Sequence, residues 1–399
     1  MSQPAGAGGT PTGYMRLLRV LPAAVLGCCV LLGGCSRFHS KPPDKYVYVT
    51  VKETYLIDRV AAVSNRTGTV NNGEKLTVLD HGRNYVKVKT PEGAVGWIRE
   101  KAVATEQTAD AFAALAKEHA KDPTVGNATV RDEVYMHVAP GREAEHFVLL
   151  AEGDKLQLLA RATLPKVAAA RGEAAKVRVA AEEKTEGDAV VVPPPVMEDW
   201  WLARDSHGHT GWVYSHMVDV DAPDTLVRYA EGQRIVGAYV LTHVNDPDSG
   251  MLKDGQPDPN IPIYVTVLSP YKAGLPYDFD QVRVFTWNVK KHRYETAMRE
   301  RNIEGYLPVK IGESKDPYGH AANSATPLPS FTYRVLSADA PAPVPDPVTG
   351  LVKPGKLIEK KYRLEGNITR RILAPGAAAP EEAHPAPEPD KKGAKKHKR

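Results

Sequence analysis

Along much of the chain every second residue is apolar. Leu76 and Val78 alternate with polar neighbours, as do Val86 and Val88. That period of two places alternate side chains on one buried face and predicts short, half-buried β-strands. Gly73 and Gly93 fall where the turns should be, because glycine takes positive φ at little cost. One stretch breaks the period. Residues 105–122 (TEQTADAFAALAKEHAKD) space Ala109, Phe112, Ala113, Leu115 and Ala116 on one helical stripe, with Thr108 available as a cap. This linker helix is expected to pack against a strand unit, with His119 facing solvent. Further on, 234–244, 261–268, 281–287, 293–298, 303–311 and 331–336 are rich in Val, Ile, Tyr and Phe and divided by turn clusters. Residues 356–373 add one or two strands, and 288–292 reads as a basic hairpin turn. The prediction is a mainly β chain whose last folded region, 226–373, is a separate, sandwich-like all-β domain of no recognised family. A closed propeller needs repeated blades, and no second copy is found.

The first part does repeat. At an offset of 80, Tyr55 falls on Tyr135, Gly73 on Gly153, Lys75 on Lys155 and Leu76 on Leu156. A second block aligns without a gap at an offset of 115. Tyr85, Val88, Lys89, Gly93, Gly96, Trp97 and Ile98 match Trp200, Ala203, Arg204, Gly208, Gly211, Trp212 and Val213. The second copy therefore carries about 35 more residues, an insertion at about 160–198 rich in Ala, Lys and Glu and then in Val and Pro. Copies of this size with about five short strands fit small barrels, which leave few exposed sheet edges.

Gly-x-x-Leu-x-Val-Leu, an aromatic, Val-Lys/Arg and Gly-x-x-Gly-Trp-Ile/Val together resemble the bacterial SH3-like domain. The resemblance covers 46–104 well, and 129–220 at both ends but not in the middle. It implies two partly open β-barrels of envelope proteins, which bind cell-wall peptides or glycans or act as protein–protein spacers. Under that reading Tyr85, Trp97, Trp200 and Trp212 are candidate ligand-binding aromatics, since rings stack on sugars and bury large areas at modest entropic cost. The plainer reading makes Trp97 and Trp212 packing residues. Trp200 and Trp201 should face opposite sides of their strand, and Trp200, matching Tyr85, is the one expected to be exposed.

Residues 1–34 read as a signal peptide. Arg16 and Arg19 precede an apolar run of about 13 residues, short of the about 20 needed to span a bilayer. Leu32-Gly33-Gly34-Cys35 resembles a bacterial lipobox, which implies fatty acylation (palmitate and its like) at Cys35 and membrane anchoring; Val25-Leu26-Gly27-Cys28 is a competing lipobox, but it would leave Val30–Leu32 stranded in the mature protein. Met15 fits the start of such a leader better than Met1. Ser36 after the cysteine is compatible with outer-membrane sorting. The expectation is a lipid-anchored cell-envelope protein facing the periplasm or exterior.

Charge is unevenly placed in this 399-residue chain of net charge +4. The leader contributes +2 and residues 391–399 contribute +6, leaving a body of −4. A mildly acidic body argues against nucleic-acid binding. Residues 374–399 read as a disordered basic tail able to tether to anionic surfaces. All three cysteines lie within the first 35 residues, so the folded part has no disulfide and no cysteine nucleophile of the papain-like kind. No hydrolase elbow, phosphate loop or dinucleotide fingerprint is present. His207, His209 and His216 lack a spaced acidic partner for zinc, and Asp246, Asp248 and Asp254 resemble a calcium loop only loosely. The expectation is a non-catalytic protein without a cofactor. Its alternatives are an enzyme using Asp246, Asp248 and His243 in the last domain, and an assembly scaffold without wall affinity.

Overall fold

The computed structural model describes residues 45–166, 195–253, 255–316 and 326–386, all within one compact unit. The leader with Cys35, the middle of the insertion, Asp254 and the basic end at 391–399 lie outside the described residues. The architecture is mainly β, in antiparallel sheets.

The first sheet contains β1 (Tyr46–Val49), β2 (Glu53–Ile57), β3 (Arg66–Asn71), β4 (Lys75–His81), β5 (Tyr85–Lys89), β6 (Val95–Arg99) and β7 (Val103–Thr105). Its order is β3-β2-β6-β5-β4-β1-β7. Helix α1 (Glu106–Glu118) follows. The second sheet contains β8 (Gly126–Val130), β9 (Val134–His137), β10 (His146–Leu150), β11 (Lys155–Pro165), β12 (Met197–Arg204), β13 (Thr210–Tyr214) and β14 (Val218–Val220). Its order, β10-β9-β13-β12-β11-β8-β14, repeats the first strand for strand.

The glycine of each Gly-Trp pair shows why the pattern recurs. A Cβ on Gly96 would lie 2.7 Å from Leu56 Cβ, and one on Gly211 would lie 2.8 Å from Met136 Cβ. Leu56 and Met136 are themselves related by the offset of 80, and both are fully buried. The bare glycine lets one strand close over the opposite wall. Gly96→Ala is expected to cost about 1–3 kcal/mol by overpacking; urea unfolding reads this, and an unchanged midpoint would contradict it.

Helix α1 is capped by Thr105, whose Oγ1 accepts the Thr108 N–H, and not by Thr108 as expected. Thr108 is one turn in, buried, and donates to Glu145. The sequence could not separate two threonines three residues apart. Phe112 packs under the second barrel and against Phe147, which in turn meets Tyr48 of the first barrel edge-on at 5.5 Å. His119 is half-buried, not solvent-facing, because its Nδ1 donates to Asp122.

The third sheet contains β15 (Gln233–Asn245), β18 (Asn260–Pro270), β19 (Phe279–Asn288), β20 (Arg293–Ser314), β21 (Leu328–Leu336), β22 (Leu357–Glu365) and β23 (Ile368–Ile372) in chain order, with β16 (Leu252–Lys253) and β17 (Gln256–Pro257) forming a small hairpin apart. The expected sandwich of two sheets is instead one seven-stranded meander, curled so that β15 packs against β20 and β21. The two strands predicted at 293–298 and 303–311 are one. Asn302, at φ 57°, bends β20 without ending it, since asparagine tolerates the left-handed region.

Nor is this region separate. A single hydrophobic cluster runs from Phe112, Met136 and Trp201 of the second barrel to Phe279, Phe331 and Tyr333 of the third sheet. The beginning of the expected disordered tail is also docked. The Ala383 N–H donates to Leu336 O, and Glu382 pairs with the buried Lys360 at 2.6 Å and with Arg371 at 3.3 Å. A buried ammonium requires such partners, and with the His384 bond to Asn302 O they anchor the chain as far as His384.

Candidate functional site

Strands β5 and β6 pair with Tyr85 opposite Arg99 and Lys87 opposite Trp97. Val86, Val88, Gly96 and Ile98 point into the first barrel. By alternation Tyr85, Lys87, Trp97 and Arg99 share the outer face. Tyr85, Lys87 and Trp97 are half-buried and Arg99 is exposed. Gly82 lies close over the Trp97 ring, and a Cβ there would come within 3.1 Å of it. Lys87 Nζ sits 5.9 Å from that ring's centroid, within cation–π range. An open cleft of about 620 Å³ beside this strip is lined by Asn84, Tyr85, Arg99, Glu100 and Lys101. Aromatic faces interleaved with cations suit a ligand carrying sugar rings or carboxylates.

The corresponding face of the second barrel is closed. Trp200 pairs with Tyr214 across β12 and β13, as Tyr85 does with Arg99. The expected exposure of Trp200 is corrected: it is 1% exposed, and Trp201 on the opposite face is buried too. Trp212 is also buried. Three layers cover them. Leu115 of α1 and Leu351 pack on Trp200, Leu202 and Trp212. The His137 ring meets Trp200 edge-on at 5.1 Å. Arg142 lies 4.7 Å over the Tyr214 ring while its Nε donates to Glu198 at 3.0 Å. The Leu351 layer belongs to a proline-rich strap. The Thr163 N–H donates to Gly350 O at 2.8 Å, and Ala162 bridges Leu351. What remains is a cleft of about 380 Å³ between Trp200, Arg142 and the strap residues Pro347 and Val348.

His137 and His146 stand 5.6 Å apart beside Trp200. Desolvation holds both imidazoles below their ordinary value; in His137 the bond donated to Ala144 O opposes this and the neighbouring His146 adds to it. A lowered folded pKa means the unfolded chain takes up protons first. Stability is complete above the unfolded value of about 6.5 and falls as pH drops through it toward the folded values. The melting temperature is expected to decline between about pH 7 and 5. Replacing both histidines by glutamine should flatten that decline, and an unchanged slope would contradict the assignment.

Two of the other candidate clusters contain structural bonds. Asp205 accepts the His207 and His209 N–H groups and pairs with His209 Nδ1 at 2.7 Å, closing the turn at Gly208. Asp246 is buried, accepting from Trp287 Nε1 at 2.6 Å and His292 Nδ1 at 2.8 Å. Its carboxyl is held below the usual range by those bonds, Trp287 first. Among the described residues no group of three or more His, Cys, Asp or Glu could hold a metal.

The sequence reading missed Arg161, Asp199 and Asp278. The insertion prolongs β11 and β12 into a hairpin arm, pairing Arg161 with Trp201 and Thr163 with Asp199. Arg161, its side chain 4% exposed, donates to Asp278 at 2.9 Å and to the carbonyls of Leu275 and Tyr277. Asp199 accepts from Arg234 at 3.1 Å and from the Gly274 N–H at 3.0 Å. A strand-period polar residue in the arm was the only signal, and its partners in Leu275, Tyr277 and Asp278 lie more than 100 residues away.

Residues 59–104 match the bacterial SH3 domain. This match contains Tyr85, Trp97, Arg99 and the cleft beside them. No curated protein matches the chain. Among solved structures it is similar to an NlpC/P60 family protein from Bacillus cereus ATCC 10987, at 11% identity and a TM-score of 0.20, over 64% of this chain and 99% of that one. It is also similar to NlpC2 from Trichomonas vaginalis, at 8% identity and a TM-score of 0.14, over 65% of this chain and 97% of that one.

Proposed function

We propose that the protein is a non-catalytic, Cys35-anchored envelope protein that binds cell-wall material through the outer face of its first barrel. The observation that carries this reading is the asymmetry of two like barrels. Tyr85, Lys87 and Trp97 are partly exposed and Arg99 fully so within the segment matching the bacterial SH3 domain, whereas Trp200, Trp212 and Tyr214 on the equivalent face are covered by chain. A glycan strand offers apolar ring faces to Tyr85 and Trp97. Its peptide stems offer carboxylates to Lys87, Arg99 and Lys101. The second barrel, the strap and the third sheet belong to the same compact unit as the barrel that bears this face.

The test is sedimentation of the full chain with purified peptidoglycan. The wild type should co-sediment, and Tyr85→Ala with Trp97→Ala should lose at least about tenfold in affinity, as removal of two aromatic anchors does. Equal sedimentation of both would remove the first barrel from the reading. No sedimentation of the wild type would turn the face toward a protein partner and the scaffold role.

A further inference from the structure

We infer that the third sheet carries an oxyanion site for a phosphate group, now plugged by the protein's own Glu231. This does not rest on the wall-binding reading. In the ladder between β19 and β20, Arg283 lies directly opposite Arg299, and Gln281 opposite Arg301. Like charges directly opposite on a sheet destabilise it, so three arginines here require an anion. Gln281 holds them in place. Its buried side-chain carbonyl accepts from Arg299 Nε and Arg301 Nε, each at 3.0 Å, and from Arg283 at 3.4 Å. This neutral pivot compensates no charge. It aims the outer ends of the guanidinium groups at one point.

Glu231 Oε2 occupies that point. It accepts from Arg283 at 3.2 Å, from Arg301 at 3.5 Å and from Arg299. One carboxylate against three guanidinium groups leaves a surplus of two positive charges. The other acid lining the cleft, Asp280, is held by Gln233 Nε2, and burial pushes its carboxyl up, toward neutrality. Arg283 is 2% exposed, and its Nε has no partner. Glu231 reaches in from a turn at φ 54°, a conformation unusual for glutamate, and half its side chain remains in solvent. These residues line an open cleft of about 220 Å³. With Glu231 displaced, three guanidinium groups face the ligand; a phosphate dianion offsets two of these charges where a monocarboxylate offsets one, and it offers more oxygens to the converging donors.

The experiment is calorimetric titration of the full chain with inorganic phosphate at pH 7.5, against chloride at equal ionic strength. A parallel arm uses phosphatidic acid vesicles against phosphatidylcholine vesicles. The wild type should bind phosphate weakly, Glu231→Gln about tenfold more tightly, and Arg299→Gln or Arg301→Gln at least about tenfold more weakly. Added binding to the phosphatidic acid vesicles would identify a lipid headgroup as the source, and binding to phosphate alone a soluble one. Phosphate heats equal to those of chloride in both the wild type and Glu231→Gln would overturn the site. So would affinity unchanged in Arg299→Gln and Arg301→Gln, whose partly exposed side chains make these variants folded controls.

Discussion

Arg161→Met is expected to lower unfolding stability by about 3–5 kcal/mol, the range for breaking a buried ion pair from one side. Methionine fills much of the arginine's volume, so the loss is one of charge. Asp278 at 2.9 Å and Asp199 at 3.4 Å would be left with reduced compensation, and the carbonyls of Leu275 and Tyr277 would lose their donor. Asp199 keeps Arg234 and the Gly274 N–H, which sets the upper limit on the loss. Because Arg161 sits on the arm of the second barrel and Asp278 just before β19 of the third sheet, uncoupling of these two parts should accompany the loss. Urea unfolding followed by tryptophan fluorescence reads both. A single transition with an unchanged midpoint would show that the pair does not join them. Adding Asp199→Asn and Asp278→Asn to Arg161→Met should restore part of the stability, because neutral amides avoid the stranded charges.

Trp200→Ala should cost about 3–5 kcal/mol, as large aromatic truncations in closed cores do. Its ring is enclosed by Leu159, Leu202, Trp212 and Leu351, with His137 edge-on. The equivalent Tyr85→Ala should remain within about 0.5 kcal/mol of wild type, since the half-buried tyrosine borders an open cleft. Two substitutions at matched positions of a repeat thus separate by several kcal/mol. Comparable losses at the two positions, measured by thermal and urea unfolding, would contradict the asymmetry on which the functional reading depends. The Trp200 variant should also free the strap, seen as faster proteolysis near Pro347 and Val348, where Val348 is 83% exposed.

The strands of the first barrel were legible because they obey two short-range rules at once, alternation and turn glycines. The Gly-Trp pairs were legible for a related reason. A position that must lie bare against a neighbouring strand admits only glycine, and the same demand arises in both copies. The exposure of Trp200 was not legible. Alternation predicts which face a residue occupies, and it did so correctly in separating Trp200 from Trp201; it says nothing about what covers that face. The cover comes from Leu115, Arg142 and Leu351, and the last is 151 positions away. The same limit hid the docking of the chain up to His384. An Ala/Pro/Glu-rich stretch has the composition of a loose tail, yet Glu382 finds a buried lysine already presented by β22. Similarly, Arg283, Arg299 and Arg301 look like ordinary strand charges until the register of β19 on β20 brings them side by side. The one long strand across Asn302 was not legible for a local reason, since asparagine is as suited to ending a strand as to bending it.

Hydroxyl-radical footprinting of the full chain, with and without purified peptidoglycan, addresses the central claim most directly. Tyr85 and Trp97 should oxidise readily in the free protein and be protected by the wall polymer, while Trp200 and Trp212 stay unlabelled in both states. Equal labelling of the four aromatics, or full labelling of Tyr85 and Trp97 with the polymer present, would contradict the account.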